Sequence, residues 1–240
     1  MVSDHIVKSF DDELNQLVNM IAEMGGLAES QLSDAIFALS KRDETLASSV
    51  ISQDARIDAL EMEIDTQVIR MLALRQPKAV DLRSVIVALK VSAELERIGD
   101  YAKNVAKRTL TLLQTPAVTN QANTIVRMGN IAGTMIRNVI DAYLNRDIIK
   151  AEEVRERDND VDLMHTSLFR ELLTYMMEDP RNITSCTHLL FIAKNIERIG
   201  DHVTNISENV HFLVAGEKFG EERTKTDLSS STLVNPGDAI

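Results

Sequence analysis

Glu96-Arg97-Ile98-Gly99-Asp100 and Glu197-Arg198-Ile199-Gly200-Asp201 are the same five residues, 101 positions apart in a chain of 240. An identity of that length at a fixed offset marks an internal duplication. Each copy sits within a long helix-period pattern, and each Asp is followed four residues later by an Asn, Asn104 or Asn205. Positions i and i+4 of a helix share a face. The spacing therefore predicts one row of oxygen donors from Glu96, Asp100 and Asn104, and a second from Glu197, Asp201 and Asn205.

Outward from these stretches the chain reads as six helices. Leu14, Leu17, Ile21, Met24, Ala28, Leu32, Ala35 and Leu39 place a first helix over 10–40. Its Gly25-Gly26 pair costs about 1 kcal/mol per Gly against Ala, which a kink or a close helix contact would explain. A second helix runs from Glu44 to Leu74. Pro77, at a position where a missing N–H costs nothing, starts the third, which extends to Leu113. Thr115-Pro116 breaks the chain and the pattern restarts, with helices over 117–146 and 147–178. Asp179-Pro180 then supplies an N-cap and first-turn proline for the sixth.

The duplication extends beyond the pentapeptide. Asp54-Ala55-Arg56-Ile57-Asp58 aligns with Asp158-Asn159-Asp160-Val161-Asp162 at an offset of 104, and Pro77 with Pro180 at 103. The fold expected is all-α: two tandem, duplicated antiparallel three-helix bundles over residues 1–114 and 117–215. The polar stretch 216–240 reads as a disordered tail, able to contact a partner.

Hairpin geometry brings the acids to one level. Asp58 and Glu96 both lie 19 residues from Pro77, and Asp54 and Asp100 both lie 23 away. In the second half Asp162 and Glu197 lie 18 and 17 residues from Pro180, and Asp158 and Asp201 lie 22 and 21 away. By helical angle the acids fall on an outer face of each bundle, with Asp54 and Asp58 bordering the apolar arc. Gly99 and Gly200 interrupt good helices at matching places, which calls for close approach of a backbone or a ligand. Carboxylates gathered at one height repel one another, and a bound cation would reverse that effect. The candidate metal ligands are Asp54, Asp58, Glu96, Asp100, Asn104, Asp158, Asp162, Glu197, Asp201 and Asn205. All-oxygen donors suit Mg²⁺, Mn²⁺ or Ca²⁺, with Fe compatible. Solvated acids paired with Arg97, Arg198 and Lys103 are the plainer alternative.

A net charge of −11 argues against a nucleic-acid partner. Cys186 is the only cysteine, so no intrachain disulfide forms and a reducing compartment fits. The N-terminal residues lack a signal-peptide pattern, and Leu189 to Ala193, the longest strongly apolar run, is too short to span a bilayer. The expectation is a soluble cytoplasmic protein without membrane insertion. Other chemistry is thin. One Glu-x-x-His, Glu208 to His211, falls short of the two that a di-iron site needs. His165 continues the Asp158/Asp162 stripe, but its counterpart is Glu61, and it reads as an exposed, incidental histidine. No phosphate loop, zinc ribbon or nucleophile motif is present.

The duplicated Asp54/Asp58, Glu96/Asp100, Asp158/Asp162 and Glu197/Asp201 motifs, with Leu74-Arg75-Gln76-Pro77 and Asp81-Leu82-Arg83, resemble the PhoU family of phosphate-specific transport accessory proteins. The resemblance spans residues 5 to 215. It implies symmetric three-helix bundles, divalent or iron ions on the acidic motifs, frequent homodimers and a non-enzymatic role. That role is negative regulation of the phosphate-starvation response, linking the ATPase of the phosphate ABC transporter to a membrane sensor histidine kinase. The second half has Thr184 and Ser185 where the first has Asp81-Leu82-Arg83, so the two halves do not present the same surface there. Two alternatives remain at this point: an oxygen-ligand metalloenzyme such as a phosphoester hydrolase, and a metal-free helical adaptor.

Overall fold

The computed structural model describes residues 2–115 and 119–217 together with Phe219, Asp227 and Ser229; for 2–9 and 119–121 it gives the backbone alone. The helices are α1 (Val2–Lys41), α2 (Glu44–Gln53), α3 (Ala55–Arg75), α4 (Val80–Leu112), α5 (Thr119–Asn145), α6 (Ile148–Glu178) and α7 (Ile183–Ala215), with a 3₁₀ turn at Pro180–Asn182 before α7. Among the described residues there is no strand, and no helix is long and apolar enough to cross a membrane.

The chain is all-α, built as two tandem antiparallel bundles. In the first, α1 and α4 pack on each other and on the α2–α3 rod; in the second, α5, α6 and α7 pack mutually. The halves join through α4 on α7 and α1 on α5, so α1, α4, α7 and α5 form a closed four-helix ring. The α2–α3 rod lies on one flank of that ring and α6 on the other. One buried apolar set runs through both halves, from Leu17, Ile21 and Met24 through Ile98 to Ile199 and Val203.

Close approach of α1 and α5 depends on glycine at two places. A Cβ on Gly25 would sit 2.6 Å from Ile140 Cγ1, and one on Gly129 would sit 2.5 Å from Ile36 Cγ1. Gly25 and Gly129, like Ile36 and Ile140, are 104 residues apart, so this is one contact used twice about a pseudo-twofold axis. The contact accounts for Gly25; around Gly26 there is open space.

The α1–α2 and α5–α6 turns repeat as well. Arg42 and Arg146 take left-handed conformations (φ 54° and 53°). The Asp43 and Asp147 amides reach back to the Ala38 and Ala142 carbonyls, each at 2.9 Å. The same two Asp side chains cap the next helix, accepting from the amides of Leu46 at 2.9 Å and Lys150 at 3.1 Å. The Arg42 guanidinium donates to the carbonyls of Leu112, Leu113 and Thr115, each at 3.0 Å, which offsets the strain of its own backbone and closes the end of α4.

Two boundaries depart from the sequence reading. The second helix is not continuous: Asp54 separates α2 from α3, although its own backbone is helical (φ −53°, ψ −37°). Pro77 does not open a helix; the α3–α4 connection needs left-handed backbone at Gln76 and Ala79, and α4 begins at Val80. Asp179 does cap as expected, its carboxylate accepting from the Arg181 amide at 2.9 Å. Apart from Gly216, Glu217, Phe219, Asp227 and Ser229, the stretch read as a disordered tail lies outside the described residues.

Candidate functional site

The first acidic row lies where the α2–α3 rod meets α4. Asp54 is 3% exposed. Its carboxylate accepts from Gln31 Nε2 of α1 at 3.0 Å and from Lys103 Nζ of α4. The same ammonium donates to Asp100 Oδ1 at 3.0 Å, so a single lysine spans the two acids that hairpin counting puts at one level. Asp58, Glu61 and Glu96 gather beside them, and each carboxyl is pushed above its ordinary range. Partial burial is the first cause in every case. Neighbouring carboxylates add to it: Asp54 and Asp100 act on Asp58, Asp65 and Asp58 on Glu61, and Asp100, Glu61 and Asp58 on Glu96. The exposed Arg97 offsets part of this, lying 3.4 Å from Glu96 and 3.7 Å from Asp100.

The second row, between α6 and α7, is more deeply enclosed. Asp158, Asp162 and Glu197 are all buried. A Cβ on Gly200 would sit 2.1 Å from Asp158 Oδ1, so the missing side chain is the space that the carboxylate uses. At Gly99 the equivalent space is taken by Ile57, 2.9 Å from a Cβ position. Both glycines thus serve a close approach, but of side chains from α6 and α3. Lys194 Nζ lies 2.7 Å from Glu197 Oε2 and 3.0 Å from Asp227 Oδ2. Burial raises the Glu197 carboxyl in spite of that ion pair.

Each row therefore contains one lysine, and the two lysines are not repeat partners. Lys103 corresponds to Thr204, and Lys194 to Ala93. The duplication kept the acids and placed a compensating cation independently in each half.

Several expectations are corrected here. The acids do not all lie on an outer face: Asp54, Asp158, Asp162 and Glu197 are enclosed between helices, while Asp58 is exposed and Glu96, Asp100 and Asp201 are half-buried. Residues bordering an apolar arc are the ones that a neighbouring helix covers, and the α3–α4 and α6–α7 contacts cover these. His165 is not an exposed histidine; it is 2% exposed, and burial pushes its imidazole pKa down. Asn205 does not join the second row. Its Nδ2 donates to Glu94 Oε2 across the α4–α7 seam at 3.1 Å, and Glu94 also meets His202 Nδ1 at 2.5 Å. Asn104 is partly buried one turn beyond Asp100 on α4. On that seam the repeat partners Tyr101 and His202 face each other, ring centroids 5.4 Å apart, which puts the pseudo-twofold axis between them. Sequence reasoning passed over Glu61 as a ligand candidate, and Gln31, Lys194 and Asp227 altogether. Glu61 was visible as the residue one turn past Asp58; the other three come from distant segments.

For a metal ion the chemistry of the donors fits. The set is all oxygen, and in the first row partial burial, with mutual repulsion of the carboxylates added to it, makes the acids hold protons more tightly than usual. Among the described residues, however, no group of three or more His, Cys, Asp or Glu side chains is already gathered as a ligand sphere.

A duplicated all-α scaffold with paired acidic rows places this chain in the class of tandem helical-bundle proteins. The PhoU domain is matched twice, over residues 21–109 and 125–210. The chain is 48% identical over 229 residues to the phosphate-specific transport system accessory protein PhoU homolog of Caulobacter vibrioides, covering 95% of this chain and all of that one. It is 47% identical to the homolog from Rhizobium meliloti, covering 95% of this chain and 96% of that one. Among solved structures, PhoU from Pseudomonas aeruginosa superposes with a TM-score of 0.82 at 38% identity, covering 87% of this chain and all of that one. The phosphate transport system regulatory protein PhoU from Streptococcus pneumoniae gives 0.81 at 29% identity, covering 88% and all. This chain belongs to the PhoU family. Its relatives are named as accessory and regulatory proteins, not as enzymes.

Proposed function

We propose that this chain is a cytoplasmic negative regulator of the phosphate-starvation response, acting by contact between the phosphate ABC transporter's ATPase and a sensor histidine kinase. Family membership supports the setting: relatives 47–48% identical over nearly the whole chain are named as accessory proteins of a phosphate-specific transport system. A homodimer is part of the same reading. The test is expression of starvation genes in phosphate-replete cells lacking the protein. Derepression is expected, and unchanged expression overturns the regulatory role. Pull-down of the ATPase and the kinase with the purified chain tests the two partners.

The first acidic row is proposed to bind a divalent cation, Mg²⁺, Mn²⁺, Ca²⁺ or Fe²⁺, through Asp58, Glu61, Glu96 and Asp100. The observation that carries this is the gathering of Asp58, Glu61, Glu96 and Asp100 where α3 meets α4, near enough for their charges to act on one another in addition to the effect of burial. The second row is proposed as a site with Asp158, Asp162, Glu197 and Asp201, and there Lys194 is the competitor. Metal analysis of purified protein, with Asp100→Asn and Asp201→Asn to separate the rows, decides between occupied and empty rows. A metal-free adaptor is the second reading, favoured by one observation: Lys103 already bridges Asp54 and Asp100 as a cation would. The metalloenzyme alternative is not carried forward, because the relatives are named as accessory and regulatory proteins.

A further inference from the structure

Three donors from two helices converge on one carboxylate beside the second acidic row, whose lysine is one of them. Asp227 Oδ1 lies 3.2 Å from His165 Nδ1 and 3.3 Å from Thr166 Oγ1, both on α6. Its Oδ2 accepts from Lys194 Nζ of α7 at 3.0 Å. The site is built into the fold: the His165 side chain is 3% exposed, and the Asp227 side chain is 9% exposed once seated there. The Ser229 amide donates back to Asp227 Oδ1 at 2.9 Å, so the local backbone also presents the carboxylate.

We infer that His165, Thr166 and Lys194 form a carboxylate-binding site whose occupant is Asp227 of the same chain, fastening that residue onto the α6–α7 face. The chemistry is specific for an acid side chain, because an ammonium and two neutral-side donors surround it and convert a costly buried charge into a satisfied one. Burial alone would raise the Asp227 carboxyl. The Ser229 amide and hydroxyl, Lys194 and His165 outweigh it and hold the group well below the usual carboxylate range.

The repeat shows that the site belongs to one half only. His165, Thr166 and Lys194 correspond to Glu61, Met62 and Ala93 in the first half. Met62 is largely exposed, and a carboxylate brought to that position would meet Glu61 instead of a donor. The α3 face therefore stays open and acidic, while the α6 face carries the chain's own Asp227. A partner that distinguishes the two halves meets different surfaces on them. The assignment stands whether or not the second row holds a cation.

Carbodiimide treatment of the full chain, followed by peptide mapping, tests the contact directly. An amide link between Lys194 and Asp227 is expected, and in a mixture of isotopically heavy and light protein the linked peptides are expected to be of one label. Links of mixed label, or none, overturn the assignment. Trypsin supplies an independent readout, since Arg223 and Lys225 precede Asp227. Cleavage there is expected to be roughly tenfold faster in full-length Asp227→Asn than in wild type, as loss of the charge-assisted contact releases residue 227 from the α6–α7 face. Equal rates overturn the fastening role. Asp238→Asn, which leaves the contact intact, is expected to be cleaved as wild type.

Discussion

Gly25 and Ile140 are in a contact that leaves no room for a side chain at the glycine: a Cβ there would sit 2.6 Å from Ile140 Cγ1 and 2.8 Å from its Cδ1. The mirror contact, Gly129 under Ile36, has the same tightness at 2.5 Å. Together they set how near α1 and α5 lie, and thereby how the two bundles share one core.

Gly25→Ala and Gly129→Ala are therefore expected to destabilise the protein. Overpacking costs about 1–3 kcal/mol, against a helix-propensity gain of about 1 kcal/mol. Gly26 and Gly133 face open space on the same two helices. At those positions alanine is expected to stabilise by up to about 1 kcal/mol. Urea midpoints of the four variants check this, and uniform stabilisation would show that α1 and α5 are free to move apart.

Gly200→Ala is expected to cost more than Gly99→Ala. The added methyl meets Asp158 Oδ1 at 2.1 Å, and Asp158 is fully buried, so its charge has no exposed position to retreat to. Displacing a buried carboxylate costs roughly 2–4 kcal/mol. At Gly99 the first obstacle is the terminal methyl of Ile57 at 2.9 Å, which a rotamer change relieves. Equal losses in the two variants would contradict the difference between the rows.

The duplication and the six helical rods were legible, apart from the break at Asp54, because periodicity and the repeated pentapeptide are local signals. The levels of the acids were legible too: Asp54 and Asp100, counted as equidistant from Pro77, share the ammonium of Lys103. What periodicity could not carry was anything imposed from far away. Asp54 interrupts a helix while held by Gln31, 23 residues away, and by Lys103, 49 away. The late start of α4 follows from left-handed Gln76 and Ala79, neither a residue that announces such a turn. Asp227 reaches His165 across 62 residues, from a polar stretch after α7 that no pattern links to α6. One missed signal was local: Arg42-Asp43 and Arg146-Asp147 repeat at the same offset of 104, with an N-cap in each.

Lys103→Ala is expected to lower stability by about 2–3 kcal/mol in metal-free buffer, since it leaves the 5%-exposed Asp54 side chain facing Asp100 without its cation. If the first row binds a divalent cation, Mn²⁺ is expected to restore much of that loss and to bind the variant more tightly than wild type. Denaturant curves with and without Mn²⁺ measure both. A loss that Mn²⁺ leaves untouched favours the metal-free adaptor.

The pH dependence of the first row has a definite sign. Asp58, Glu61 and Glu96 hold protons more tightly folded than unfolded, because burial and neighbouring carboxylates raise them. Between the unfolded values of about 4 and the raised folded ones the folded state thus holds more protons than the unfolded chain, and stability falls as pH rises across that window. The double change Asp58→Asn with Glu96→Gln is accordingly expected to stabilise the metal-free chain at pH 7. That advantage should shrink as pH drops to about 4 and below, where the native carboxyls become neutral in both states. Urea midpoints of wild type and variant at neutral and acidic pH give the comparison. An advantage that persists unchanged at low pH would mean that packing, not charge, separates the two proteins.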